Sequence, residues 1–283
     1  MYSSMVPPST MMGQLQEKID TVSNNMANMD QTGFRRRESS FSDLLFQQID
    51  NQQYGPAEDG GRLTPEGLRR GSGAAVAQTA LRMDQGELQS TGRNLDFAIT
   101  QPGYLFEVET EVEAGETEIA YTRDGSFHLS EDQLDDGWNI VTSTGDFVLD
   151  ADGDRIVVPG DTQTVNLAPD GTLQAVYDDD DEETEDIAEL ELTYANRPQV
   201  LEAIGNNNFQ LPDLEELGLE GEEILEEPVA ATDDLVMQQG LEGSNVDMGS
   251  EMTELMNAQR LYSMNARAMQ NSDQMMQLIN NVR

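Results

Sequence analysis

The chain has 283 residues, 37% of them apolar, and sets 15 Lys and Arg against 55 Asp and Glu for a formal net charge of −40. That is enough chain for two domains of ordinary size, and a field of this sign repels phosphates, so nucleic-acid binding is excluded despite the short basic run Arg35-Arg36-Arg37. Cysteine is absent, which removes disulfides, thiolate catalysis and Cys-ligated metals together.

The opening MYSSMVPPSTMMG has neither a basic leader nor an apolar run, so no secretory signal is expected. No stretch approaches the ~18 apolar residues of a span, and membrane insertion is not expected either. Residues 10–30 read as a helix. Met12, Leu15, Ile19, Val22, Met26 and Met29 are spaced 3, 4, 3, 4, 3, the repeat of a coiled-coil seam. Pro7 and Pro8 precede it, Ser9 or Thr10 can cap it, and Gly33 can take the left-handed conformation that ends it. Between seam and glycine lie Asn24, Asn25 and Asn28, poor helix formers whose amides donate and accept at once.

The segment 35–94 is read as an irregular connection, in which FSDLLFQQID could form a second short helix and GPAEDGGRLTPEGLRRGSG is loop chemistry. From residue 95 the period changes to two. LDFAIT (95–100), YLFEVET (104–110), EIAYTRD (118–124) and SFHLS (126–130) alternate as strands, with Asp124-Gly125 the strongest hairpin signal. WNIVTS (138–143), DFVLD (146–150), RIVV (155–158), TVNLA (164–168), TLQAVY (172–177) and ELELTYA (189–195) follow, separated by turns such as Thr144-Gly145 and Asp170-Gly171. Residues 95–240 are therefore an acidic β-rich domain. DDDDEETED (178–186) reads as a solvated hairpin tip or loop, and EELGLEGEEILEEP (215–228) as an acidic linker.

Residues 101–240 hold 3 bases and 38 acids. Of all 15 bases only Lys18 is a lysine, a balance that suits high salt, where crowded carboxylates are screened over roughly 3 Å at 1 M. From 241 to 283 helical periodicity returns. One stripe runs through Met252, Leu255, Tyr262, Ala266, Met269 and Met276, a second through Leu261, Met264, Ala268, Met275, Leu278 and Val282. Two adjacent stripes make a wide apolar face that calls for neighbours on more than one side.

No constellation for catalysis is found. The single histidine, His128, lies in a strand-like segment with no nucleophile elbow or ligand spacing around it. DADGD (150–154) begins like a calcium loop, but Arg155 stands where a glycine belongs and Asp161 where a glutamate does. A hairpin turn is the expectation there, with no cofactor and no metal. What remains is assembly: the two terminal helices carry more apolar surface than either can cover, so copies of the chain are the natural partners. Periodicity alone leaves open that both helices pack on the β domain. An acidic cation-binding module stands as the alternative of another class.

SNNMANMDQTGFRRRESSFSDLL, through Asn24, Asn25, Asn28, Thr32, Gly33 and Phe34, resembles the N-terminal signature of the bacterial flagellar rod and hook family. QGELQSTGRNLDFAI (85–99), YTRDGSF (121–127) and the block 241–279 agree in the same order. Within the family the chain looks most like the distal-rod members of Bacillus-type Gram-positive bacteria, with proximal-rod or hook subunit as the alternative. The resemblance implies an α+β, non-enzymatic subunit. Its helices 1–34 and 241–283 would form an axial core domain that packs with neighbouring subunits into a hollow torque-transmitting tube. It implies other rod and hook proteins as partners. It also implies export through the flagellar type III apparatus without a cleaved signal, and a place in the basal body outside the cytoplasmic membrane. The assembly interface is then expected on Met12, Leu15, Ile19, Val22, Asn24, Asn25, Met26, Asn28, Met29, Gly33 and Phe34, and on Met252, Leu255, Leu261, Tyr262, Met264, Met269, Met275, Met276 and Leu278.

Overall fold

The computed structural model describes residues 6–43, 47–49, 68–70, 74–112, 116–131, 137–177, 184–212, 214 and 221–281. It is a mixed α and β chain: a helix at each end and a mainly antiparallel β region between them. Two compact units divide it. One gathers Met1–Asn24, Glu38–Ala80 and Gly249–Arg283, and the other Asn25–Arg37 and Leu81–Met248.

The helical unit is built on the N-terminal helix, Val6–Ala27, and the C-terminal helix, Met248–Asn281. The first begins four residues earlier than its capping signals indicate, with Pro7 and Pro8 inside its first turn. Their missing N–H groups have no intrahelical acceptor there in any case. Leu15 and Val22 are buried, as are Ala258 and Glu251 on the other helix, and Lys18 pairs with Glu254 at 3.0 Å. Those two seam residues therefore face inward, as their spacing demands. The second short helix expected over 41–50 is not formed: Arg37–Asp43 and Gln47–Ile49 are strands, paired with Ala74–Leu81 and Leu68–Arg70. Residues 44–46 and 50 of that segment lie outside the described residues. These pairings join positions far apart in sequence, which a local propensity cannot report.

The β unit is organised around the strand Tyr104–Val112, which pairs with Glu116–Thr122 on one side and with Glu191–Tyr194 and Phe147–Val148 on the other. Both of its faces are buried. Phe106 and Val108 enter one core with Phe97, Phe127, Ile140, Leu173 and Leu192, while Leu105 enters a second with Tyr121, Phe209, Ile224 and Leu225. Alternation along a strand sends neighbours to opposite faces, so a central strand with two covered faces serves two cores. Phe97, Phe106 and Phe127 pack in the first, Phe127 tilted on Phe97 at a centroid separation of 5.9 Å and edge-to-face with Phe106 at 5.3 Å.

Each of the ten strand segments expected between 95 and 195 contains a strand. Asp124-Gly125, however, closes no hairpin. Glu116–Thr122 pairs with Tyr104–Val112 and Asn208–Gln210, and His128–Glu131 pairs with Gly137–Val141. Gly125 is there for space, since a Cβ on it would lie 1.8 Å from the Phe97 carbonyl oxygen. The acidic stretch after 215 is likewise more than a linker: Ile224 and Leu225 are buried and Leu225 bridges Ala195. Residues 178–183 and 215–220 lie outside the described residues, and Thr184–Glu189 is a strand on Thr172–Val176.

Candidate functional site: a charged junction and an uncovered helix face

Parts of the four sequence blocks singled out for their resemblance, residues 25–37, 85–99, 121–127 and 241–248, belong to the β unit. The N-terminal helix ends at Ala27, and a turn held by Asn28 N–H to Asn25 O (3.3 Å) and Gln31 N–H to Asn28 O (3.2 Å) leads to Gly33 at φ +67°. Gly33 donates to Glu242 O at 2.9 Å and packs on the Arg123–Asp124 backbone, where a Cβ would come within 2.5 Å of Asp124 N. Both the dihedral and the contact demand glycine. Thr32 donates its hydroxyl to the Asp124 carboxylate at 3.0 Å, and Asn207 donates to Thr32 O at 2.8 Å.

Glu242, 2% exposed, sits at the centre. It is ion-paired with Arg35 and with Arg123, whose Nε donates to it at 2.6 Å, and it accepts the Gly86 N–H at 2.8 Å. Arg123 also donates to Tyr104 O at 2.9 Å and Gln101 O at 2.7 Å. One carboxylate thus neutralises one of two buried guanidiniums. Burial, reinforced by Arg123, pushes Arg35 down to about 10 against the pull of Glu242. Such a cluster is costly to desolvate: acceptors on Gln101, Tyr104 and Glu242 close around Arg123, whereas Arg35 Nε is buried with no hydrogen-bond partner among the described residues.

Amides complete the junction. The Asn25 side chain, 1% exposed, accepts the Arg37 N–H at 3.0 Å and donates to Arg37 O at 2.9 Å. Asn245 accepts the Arg36 N–H at 2.8 Å and donates to Arg82 O and Asp84 O, both at 2.9 Å. The double use expected of the asparagines is therefore made by Asn25 within its own chain. Asn24 is exposed, Asn28 half-buried, and Met26, Met29 and Phe34 are half-buried in the same unit or at its edge.

The C-terminal helix divides differently. Leu255, Ala258, Tyr262, Ala266, Met269 and Met276 form a buried to half-buried row. The opposite side carries Met252, Met256, Leu261, Met264 (56% exposed), Met275 and Leu278 (66% exposed). Of the two expected stripes, the first faces inward except at Met252 and the second faces outward along its described length; Val282 lies outside the described residues. On the N-terminal helix Met12 and Ile19 are half-buried beside the buried Leu15 and Val22. At 1.5 Å per residue the 34-residue helix runs about 51 Å against about 33 Å for the 22-residue one. The shorter helix cannot cover the longer.

The expected turn at 150–154 is formed: Asp150 Oδ1 accepts the N–H groups of Asp152 (3.0 Å) and Asp154 (2.8 Å), and Gly153 has φ +80°. Sequence reasoning missed the Arg35–Glu242–Arg123 cluster. A signal was present. The three bases of the acidic region, Arg123, Arg155 and Arg197, each hold a carboxylate: Glu242, Glu109 and Glu223.

Comparison with known proteins matches residues 9–35 to the model of the flagella basal body rod protein. Residues 98–175 match the flagellar hook protein FlgE/F/G D1 domain, and residues 237–282 the C-terminal domain of flagellar basal body rod FlgEFG proteins. The flagellar hook-basal body complex protein FlhP of Bacillus subtilis (strain 168) is 35% identical over 293 aligned positions covering 100% of both chains. The flagellar basal-body rod protein FlgG of Borreliella burgdorferi is 32% identical, covering 95% of this chain and 94% of its own. FlgG of Bacillus subtilis is 31% identical, covering 96% of each.

Proposed function

We propose, on the premise that this chain belongs to the flagellar basal-body rod and hook family, that it is a distal-rod subunit which joins its own copies through the terminal helices. Its place is the flagellar basal body and its role structural. The reading rests above all on one observation: Leu261, Met264, Met275 and Leu278 form an exposed apolar row on the C-terminal helix. Large apolar side chains so concentrated on one face are stabilised by a partner. Terminal segments 1–34 and 241–283 then form the inner, coiled-coil-like wall of a hollow tube, the acidic region 95–240 its outer layer, and 35–94 the connection.

Within that wall Met12, Leu15, Ile19, Val22, Leu255, Tyr262, Met269 and Met276 line the seam inside each subunit. Leu261, Met264, Met275, Leu278 and Met252 face its neighbours. Asn25, Gly33 and the rest of the junction fasten the segment that follows the N-terminal helix into the β unit of the same subunit. Export through the flagellar type III apparatus, with rod and hook proteins as neighbours, belongs to the same reading.

A chain lacking 250–283 is expected to keep its β unit folded by circular dichroism, to stay monomeric, and to be missing from purified basal bodies. Incorporation of that truncated chain sinks the proposal. Labelling the full chain in isolated basal bodies is expected to mark the rod segment next to the hook; label on the hook itself, or only on the membrane-proximal rod, removes the distal assignment.

A further inference from the structure

Arg260 and Arg267 stand one heptad apart on the exposed side of the C-terminal helix, flanking Met264 at positions four before and three after it. Neither has a carboxylate within ion-pair distance among the described residues, in a chain with 55 acids and 15 bases. Lys18, Arg36, Arg93, Arg155 and Arg197, all at least partly exposed, each hold one. Cations left unpaired in so acidic a chain mark a place where the carboxylates arrive from outside.

The outward side of the N-terminal helix has the complementary character. Gly13, Glu17, Asp20 and Asn24 are all exposed and follow one another at spacings of 4, 3 and 4, a row on one helix face. Gly13 has open space where its Cβ would be. Asp20 accepts a hydrogen bond from Gln16 at 3.0 Å, and among the described residues no cation faces Glu17 or Asp20. A small residue followed by two acids fits a surface on which the methionines Met256 and Met264 alternate with Arg260 and Arg267 in both size and sign.

We propose that the N-terminal helix of a second copy covers the Met256–Met264 stretch, in the register that brings Glu17 and Asp20 of that copy against Arg260 and Arg267. This rests on the self-assembly argued above and names the element that completes it. Within one copy the two helices meet through Lys18 and Glu254, which lie on neither of these outward rows, so a meeting of the rows is one between copies. Exposed ion pairs add little affinity, but they fix register and exclude like-charged alignments. Two C-terminal helices face to face would set four guanidiniums together.

The absence of cysteine makes the test clean. Full-length Glu17→Cys and full-length Arg260→Cys are mixed and oxidised at concentrations where light scattering reports multimers of the unaltered chain. The mixed disulfide is expected to exceed both same-variant dimers. Dominance of the Arg260→Cys dimer overturns the pairing while leaving self-assembly standing, whereas an unaltered chain that stays monomeric at every concentration overturns self-assembly and this pairing with it. In a second arm, Arg260→Glu with Arg267→Glu is expected to raise the half-assembly concentration about tenfold. Adding Glu17→Arg and Asp20→Arg to that chain is expected to restore it. No recovery overturns the register.

Discussion

The β unit and the C-terminal helix put their large apolar side chains to opposite ends. Phe97, Phe106, Phe127 and Leu190 are at most 1% exposed, and even charged groups such as Arg35, Arg123 and Glu242 are enclosed and paired. On the helix, Met264, Met275 and Leu278 stand more than half exposed. The β unit closes two cores of its own around a central strand with both faces covered, although Ile119 stays half exposed. The helix is complete only in company, and incompleteness of that kind is how a subunit stores the driving force for polymerisation.

Substitutions should divide along the same line. The largest effect on the fold is expected at Glu242: Glu242→Ala leaves two buried guanidiniums without a counter-charge and should cost about 3–5 kcal/mol in urea unfolding of the β unit. A loss under about 1 kcal/mol would mean the junction is wetter than its burial indicates. Next is Gly33→Ala, which must strain a φ of +67° and push away the Arg123–Asp124 backbone. It should cost about 1–3 kcal/mol by the same measurement.

A smaller effect is expected from acid. Burial pushes the Asp146 carboxyl up, but hydrogen bonds from Thr144 (2.5 Å), Asn208 (2.8 Å) and Thr142 (3.2 Å) outweigh it and hold the group below its ordinary value. A lowered folded-state pKa adds stability above the unfolded value and loses it as pH falls through the folded one. The unfolding midpoint should therefore drop as pH goes below about 4, and less so in Asp146→Asn. A steeper drop in that variant reverses the assignment. The smallest effect on the fold is expected from Met264→Ser with Leu278→Ser, within about 0.5 kcal/mol for each surface change. Assembly followed by light scattering should nonetheless weaken sharply. Were the pair instead to unfold the chain, the helix face would be part of a core and the contrast between the two regions would fail.

The strands of 95–195 were legible from alternation in the first four and from short apolar runs between Gly and Asp turns in the rest, and the terminal helices because their seams repeat at 3 and 4. Asp124-Gly125 misled for a physical reason: the glycine answers to the Phe97 carbonyl from another strand, and a local turn signal cannot be told from a close approach. The hairpin Glu202–Gly205 to Asn208–Gln210 was missed although it carried its own mark. Asn206 and Asn207 sit at φ 52° and 63°, the left-handed pair that asparagine tolerates in a two-residue turn. Ile224 and Leu225 were hidden in a run of glutamates, and only their contact with Leu105 and Phe209 in a common core separates them from a linker.

Residue order by itself determined the periods, the placement of charge and the blocks that identify the family, because these depend on neighbours along the chain. Tertiary structure alone decided that Arg35, Arg123 and Glu242 meet, and which of two equally apolar helix stripes is half-buried and which exposed. Sequence spacing fixes the face on which a side chain sits, but the free energy of that face depends on what arrives against it from elsewhere in the chain or from another copy.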